Sequence, residues 1–179
     1  GKAIVIEKTK EGFKVYENKV GVMTNAPSFD WHITNLRQYM NATPVQPTSA
    51  NWSDLELTPL GSATGGIGLP GDFSSPSRFV RVAFLRAQIL MEDIENDGII
   101  EFFHILNNVA MVKGSVITKD GKDEITQYSS CMNLEKGLYY YKSYNNNQIN
   151  MLDMHKEDLD GSEMKIFPYN DIQVVNTLN

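Results

Sequence analysis

Gly65-Gly66-Ile67-Gly68-Leu69-Pro70-Gly71-Asp72-Phe73-Ser74-Ser75-Pro76-Ser77-Arg78-Phe79-Val80-Arg81 is a glycine-dense loop that runs directly into a helix start. Ser75 is the expected N-cap and Pro76 the first helical residue, where a missing N–H leaves no bond unmade. Arg78 then falls in the first turn, where a cation opposes the helix dipole and a capping box would carry Glu or Gln. An unfavourable charge at the end of a tightly built loop is a pattern expected at functional sites, which makes Arg78 a candidate. The bland alternative is a surface arginine with no role. Residues 66–71 also spell the G-x-G-x-x-G dinucleotide fingerprint. That match is rejected, because a proline-rich segment stands where the fingerprint needs a strand, Pro70 interrupts it, and Asp72 would repel a pyrophosphate. The glycines are better explained by backbone passing close to something that side chains would not clear.

Downstream of the loop, Phe79, Val82, Ala83 and residues 85–90 give the helix a broad apolar face. An acidic turn is expected at 92–98. A third helix follows at 99–109, with Ile99, Phe102, Phe103 and Leu106 as its stripe. After Gly114 the period changes to two, predicting strands at 115–118, 125–134, 138–144, 148–154 and 164–169. Turns fall at Gly121, Lys136-Gly137, 145–147 and Asp160-Gly161. Upstream, strands at 3–7 and 13–16 form a hairpin, and 20–24 is a third short strand. Ser28 caps a helix to about Met40, with Phe29, Ile33, Leu36 and Met40 on one face. Residues 43–62 are polar, hold Pro44, Pro47 and Pro59, and show no period; such segments are functional, interfacial or disordered. Strands, then helices, then an antiparallel meander predict an α+β fold with helices on one side of a sheet.

The 179 residues suffice for one domain, with net charge −6 and no Lys/Arg cluster tracking a groove, which argues against nucleic acid. No apolar run reaches the roughly 18 residues of a membrane span. The first residues alternate too much for a signal peptide, and the chain starts almost inside its first strand, as a piece of a longer protein would. Cys131 is the single cysteine, which excludes an internal disulfide and fits a reducing cytoplasm. The sequons at Asn41 and Asn51 are then chance matches.

Residues 93–104 imitate a calcium loop, but Glu95 holds its third position and His104 replaces the bidentate Glu, so no metal is expected. His32, His104 and His155 lack ligand spacing, and His104 is expected to be packed. No cofactor is implied. Cys131 lies within a strand run, without the helix N-terminus or basic neighbour that would lower its pKa, so it is expected to be structural. Asn25 closes a strand end before Ala26-Pro27. It is either an Asx turn or an amide aimed into a site as an oxyanion donor.

Together, Val22-Met-Thr-Asn-Ala-Pro-Ser-Phe-Asp-Trp-His32 with Asn35-Leu36-Arg37, then residues 68–81, then Gln127-Tyr-Ser-Ser-Cys131 closely resemble the choloylglycine hydrolase family. These are N-terminal-nucleophile (Ntn) hydrolases that include bile salt hydrolases and penicillin V acylases. The resemblance covers essentially the whole chain. It implies a four-layer αββα sandwich of roughly twice this length, a homotetramer, and residues 43–62 as a tetramer-forming extension. It also implies a small-molecule amide substrate. An N-terminal Cys thiol attacks a linear amide with its own α-amino group as base, and water then releases the acid. Asn25 would help bind the oxyanion, and the Arg78 cation would favour thiolate. Residue 1 is Gly, however, so the nucleophile and an early Asp are absent. The sequence therefore reads as a C-terminal half, inactive alone, whose partner is the N-terminal half. The strand around Tyr128-Ser-Ser-Cys-Met-Asn133 favours the bile-salt side over penicillin V. The alternative of another class is a non-catalytic remnant.

Overall fold

Val5 and Tyr16 face each other across an antiparallel hairpin formed by β1 (Ile4–Thr9) and β2 (Gly12–Glu17). Gly12 adopts φ 117° at the turn, a conformation open to glycine. The two-residue period sends Val5 into the core and leaves Ile4, Ile6, Phe13 and Val15 exposed on the opposite face. The computed structural model describes residues 2–91 and 97–179, so most of the acidic turn expected at 92–98 lies outside it. Two units are present, Gly1–Leu90 and Met91–Asn179.

In the first unit, α1 (Phe29–Leu36) is shorter than expected and ends in a 3-10 turn at Arg37–Tyr39. Ser28 stands at the N-cap, but its hydroxyl turns to the Asp30 carboxylate. The cap comes instead from β1. Both Glu7 carboxylate oxygens accept the Phe29 N–H, at 3.0 and 3.1 Å. The buried face is Phe29 and His32 with Leu36 at its edge, whereas Ile33 and Met40 face outward. α2 (Ser75–Gln88) takes Ser74 as its N-cap, one residue before the expected Ser75. Phe79, Val80 and Ala83 are buried, and the helix stops before Leu90, which is exposed. Val5, Val22, Phe29, Phe79 and Ala83 form the core, bordered by Tyr16, Val20, Leu36 and Val82.

Residues 20–24 are not a strand. Among the described residues they have no ladder partner, and their polar groups are met by side chains. Asn18 Nδ2 donates to Val22 O (3.1 Å) and Arg86 Nη1 to Val20 O (3.0 Å). Residues 43–62 carry a small hairpin, β3 (Ala50–Trp52) and β4 (Leu55–Leu57), turning at Ser53 with φ 55°. Three-residue strands are too short to show a period. The close approach expected of the glycine loop is to the chain itself. A Cβ at Gly65 would lie 2.2 Å from Val45 O and 2.5 Å from Thr43 O.

In the second unit, α3 (Asp97–Asn107) starts at Asp97 and Gly98, which were expected to be turn. Phe103 is its buried residue, with the Lys142 ammonium over its ring. The meander is β5 (Tyr128–Asn133), β6 (Leu138–Ser143) and β7 (Asn150–Asp153), in that order. Among the described residues, 115–118 make a single isolated bridge, Ile117 to Asp123, around Gly121. Residues 164–169 are not a strand either. Side chains hold this stretch and its continuation: Tyr169 stacks on Tyr141 and donates to Gln127 O, and the Asn170 N–H donates to the Tyr141 hydroxyl. The architecture is α+β, with three small antiparallel sheets among the described residues.

Candidate active site

The glycine loop is fastened before α2 begins. The Asp72 carboxylate accepts the Ser74 N–H (2.8 Å) and the Ser77 hydroxyl (2.6 Å), so it caps the helix in place of the Ser74 side chain. Hydrogen bonds from the Ser74 and Ser77 side chains and the Ser74 amide hold the Asp72 carboxyl down at about 2. Arg81 Nη1 donates to Pro70 O (2.9 Å) and Asp72 O (2.6 Å), tying the loop to the next turn of helix.

Arg78 is thereby aimed. Its Nε donates to Phe73 O at 3.0 Å, and its Nη2 donates to Asn25 Oδ1 at 2.6 Å. Residues 53 apart in sequence meet here, the end of the 20–24 segment against the start of α2. A guanidinium only donates, so the Asn25 amide must turn its oxygen to Arg78. Its NH2 then points the other way, and no described residue accepts from it. An amide so held has its donor free for an incoming acceptor. A second bridge runs alongside: Ser75 Oγ donates to Thr24 Oγ1 (3.0 Å), and Thr24 Oγ1 to Ser75 O (3.4 Å).

His32 closes the arrangement from α1. It is fully buried, with Nε2 at 3.0 Å from Asn25 O and 3.3 Å from Thr24 Oγ1. Thr24, Asp72, Ser75 and His32 were not expected in this cluster. The available signal was His32 three residues after Phe29, on the same helix face.

Cys131 is half-buried in β5 opposite Tyr140, and burial pushes its thiol up, which suits a structural residue. His104 and His155 are exposed, so His104 is not packed as expected; its neighbour Phe103 takes the buried face. Among the described residues no group of three or more His, Cys, Asp or Glu is placed to hold a metal ion. No described helix is long and apolar enough to cross a membrane.

The chain is 54% identical over all 179 residues to a bile salt hydrolase/transferase of Clostridium perfringens, covering 54% of that protein. It is 44% identical over 166 residues, 93% of the chain, to a bile salt hydrolase/transferase of Lactiplantibacillus plantarum, covering 51% of it. The chain thus spans about half the length of these curated relatives. A crystal structure of a mutant conjugated bile acid hydrolase from Clostridium perfringens superposes with TM-score 0.91 and 54% identity, over 100% of this chain and 54% of that one. Penicillin V acylase from Agrobacterium tumefaciens matches 87% of this chain and 43% of its own at TM-score 0.64 and 22% identity, a likeness of fold. The α+β architecture is therefore that of the Ntn hydrolases, as the sequence resemblance implied. The family model for linear amide C–N hydrolases of the choloylglycine hydrolase family matches residues 1–167, and the chain belongs to that family.

Proposed function

We propose that this chain is the half of a linear amide hydrolase that supplies Asn25 and Arg78, and that the complete enzyme deconjugates glycine- or taurine-linked bile salts. The observation that carries this is the 2.6 Å bond from Arg78 to Asn25, which orients the amide donor within a chain 54% identical to a bile salt hydrolase/transferase. A cysteine thiolate from the N-terminal half attacks the amide carbonyl. The carbonyl oxygen takes up the negative charge, and the Asn25 NH2 donates to it. The amine leaves with the proton that the nucleophile's α-amino group collected, and water then cleaves the thioester to release the bile acid. The Arg78 cation beside the sulfur lowers its pKa.

The exposed outer face of the β1–β2 hairpin, with Ile4, Ile6, Phe13 and Val15, is the surface that the rest of the sandwich would cover. The exposed β3–β4 hairpin, with Trp52 and Leu55, would be the subunit contact of a homotetramer. The single cysteine fits a cytoplasmic enzyme.

The test is hydrolysis of glyco- and tauro-conjugated bile salts and penicillin V by the full-length protein and by the 179-residue chain alone. Bile-salt cleavage by the full-length protein and none by the chain is expected. Penicillin V as the preferred substrate would move the enzyme to the acylase side. An inactive full-length protein would leave a non-catalytic remnant. Activity of the isolated chain that Cys131→Ser abolishes would mean that the nucleophile is Cys131.

A further inference from the structure

His32 has no part in the chemistry just described, yet its environment is unusually demanding. It is fully buried in α1. Its ring stacks on Phe79 of α2 at 4.5 Å and 9°, one residue beyond Arg78, and Trp31 meets it edge-on at 5.6 Å. Nε2 lies 3.0 Å from Asn25 O, and a carbonyl only accepts, so the proton must sit on Nε2. The neighbouring hydroxyls agree with that tautomer. Thr24 Oγ1 sends its hydrogen to Ser75 O and accepts from the Ser75 hydroxyl, leaving a lone pair for the shared Nε2–H.

Nδ1 is then left buried and without a partner among the described residues. Burying an unpaired polar atom is unfavourable, and a phenylalanine would keep the stack on Phe79 without it. What histidine adds is the Nε2–H, given chiefly to the main-chain carbonyl of Asn25 at 3.0 Å and shared with Thr24 Oγ1 at 3.3 Å.

We infer that His32 is a positioning residue for Asn25. The inference rests on the proposed hydrolase function and deepens it. Asn25 is gripped from two helices: Arg78 of α2 holds its side-chain oxygen, and His32 of α1 holds its main-chain carbonyl. An oxyanion donor must be held to about 0.5 Å, and a misplacement of about 1 Å can cost on the order of 100-fold in rate. One anchor alone leaves the amide able to swing about the other. Loss of the His32 bond therefore lowers kcat while leaving KM, set by substrate contacts elsewhere, nearly unchanged.

The experiment compares His32→Phe and His32→Gln with wild type in the full-length protein. His32→Phe keeps the ring stack, removes the donor and relieves the orphan nitrogen. Its melting temperature is expected to be unchanged or higher, while kcat falls about 10- to 100-fold at constant KM. His32→Gln restores a donor and loses the stack, so it melts lower yet recovers part of kcat. A packing histidine predicts the reverse order of activities, and His32→Phe at wild-type kcat would overturn the inference. Histidine-selective 15N spectra give a readout independent of activity. A protonated Nε2 with a bare Nδ1 is expected, and the opposite tautomer would overturn the bond to Asn25. A wild type inactive on every amide would sink the proposed function, and the tautomer would still decide the His32 contact.

Discussion

Glu7→Ala removes the cap of α1, the helix that carries His32 of the cluster around Asn25. In the structure the Phe29 N–H has both Glu7 carboxylate oxygens as acceptors, at 3.0 and 3.1 Å, and Ser28 does not substitute for them. A hydrogen bond to a charged group contributes about 1.5–3 kcal/mol, and a lost N-cap costs typically about 1. The site is half-buried, so the lower part of that range applies, about 1.5 kcal/mol in all. α1 has only 8 residues and would be marginal without tertiary support, so the loss is felt locally. A difference of about 1.4 kcal/mol is tenfold in an opening equilibrium. Hydrogen exchange of the full-length protein is therefore expected to speed up about tenfold at the α1 amides, with Glu7→Gln intermediate because its oxygen still accepts. Exchange across α1 that is indistinguishable in Glu7→Ala and wild type would show that Glu7 does not cap α1.

Other outcomes follow from the same geometry. Asp72 is depressed in the folded state to about 2, so its stabilising contribution is present at neutral pH and is lost as pH falls from its ordinary value near 4 toward 2. Asp72→Asn is expected to destabilise at neutral pH and to converge with wild type near pH 2; parallel acid-unfolding curves would contradict this. Gly65→Ala puts a Cβ 2.2 Å from Val45 O, where backbone cannot easily yield. An overpacking loss of about 1–3 kcal/mol is expected in thermal unfolding, and an unchanged midpoint would be the wrong answer. The isolated 179-residue chain exposes the apolar outer face of β1–β2 and is expected to self-associate in sedimentation; a stable monomer at low concentration would count against half of a larger sandwich.

The parts of the fold that could be read from sequence are those with local causes. Gly12 and the alternation on either side of it mark the first hairpin, and Pro76 after a serine pair marks the start of α2. The third helix shows its own apolar stripe. What could not be read depends on partners distant in sequence. Residues 20–24 look like a strand, but a strand exists only when something pairs with it, and here Asn18 and Arg86 take that place. Hydrophobicity alone ranks Ile33 and Met40 above His32 and so turns the expected face of α1 away from the buried one. Burial of a histidine becomes intelligible only with Phe79 beneath it and Asn25 beside it. Asn25 and Arg78 stand out in the sequence by motif and by an opposed charge, whereas the role of Asp72, which shapes the turn between loop and helix, depends on the Ser74 and Ser77 groups that the fold brings to it.

Whether Asn25 and Arg78 act as one unit is tested by a double-mutant cycle on kcat in the full-length protein. Asn25→Ala and Arg78→Ala are each expected to lower kcat by about 100-fold or more, in the range of a lost oxyanion donor. The double variant is expected to fall well short of the product of the two losses, because each single change already disables the pair. Losses that multiply independently, or either single variant at wild-type kcat, would contradict it.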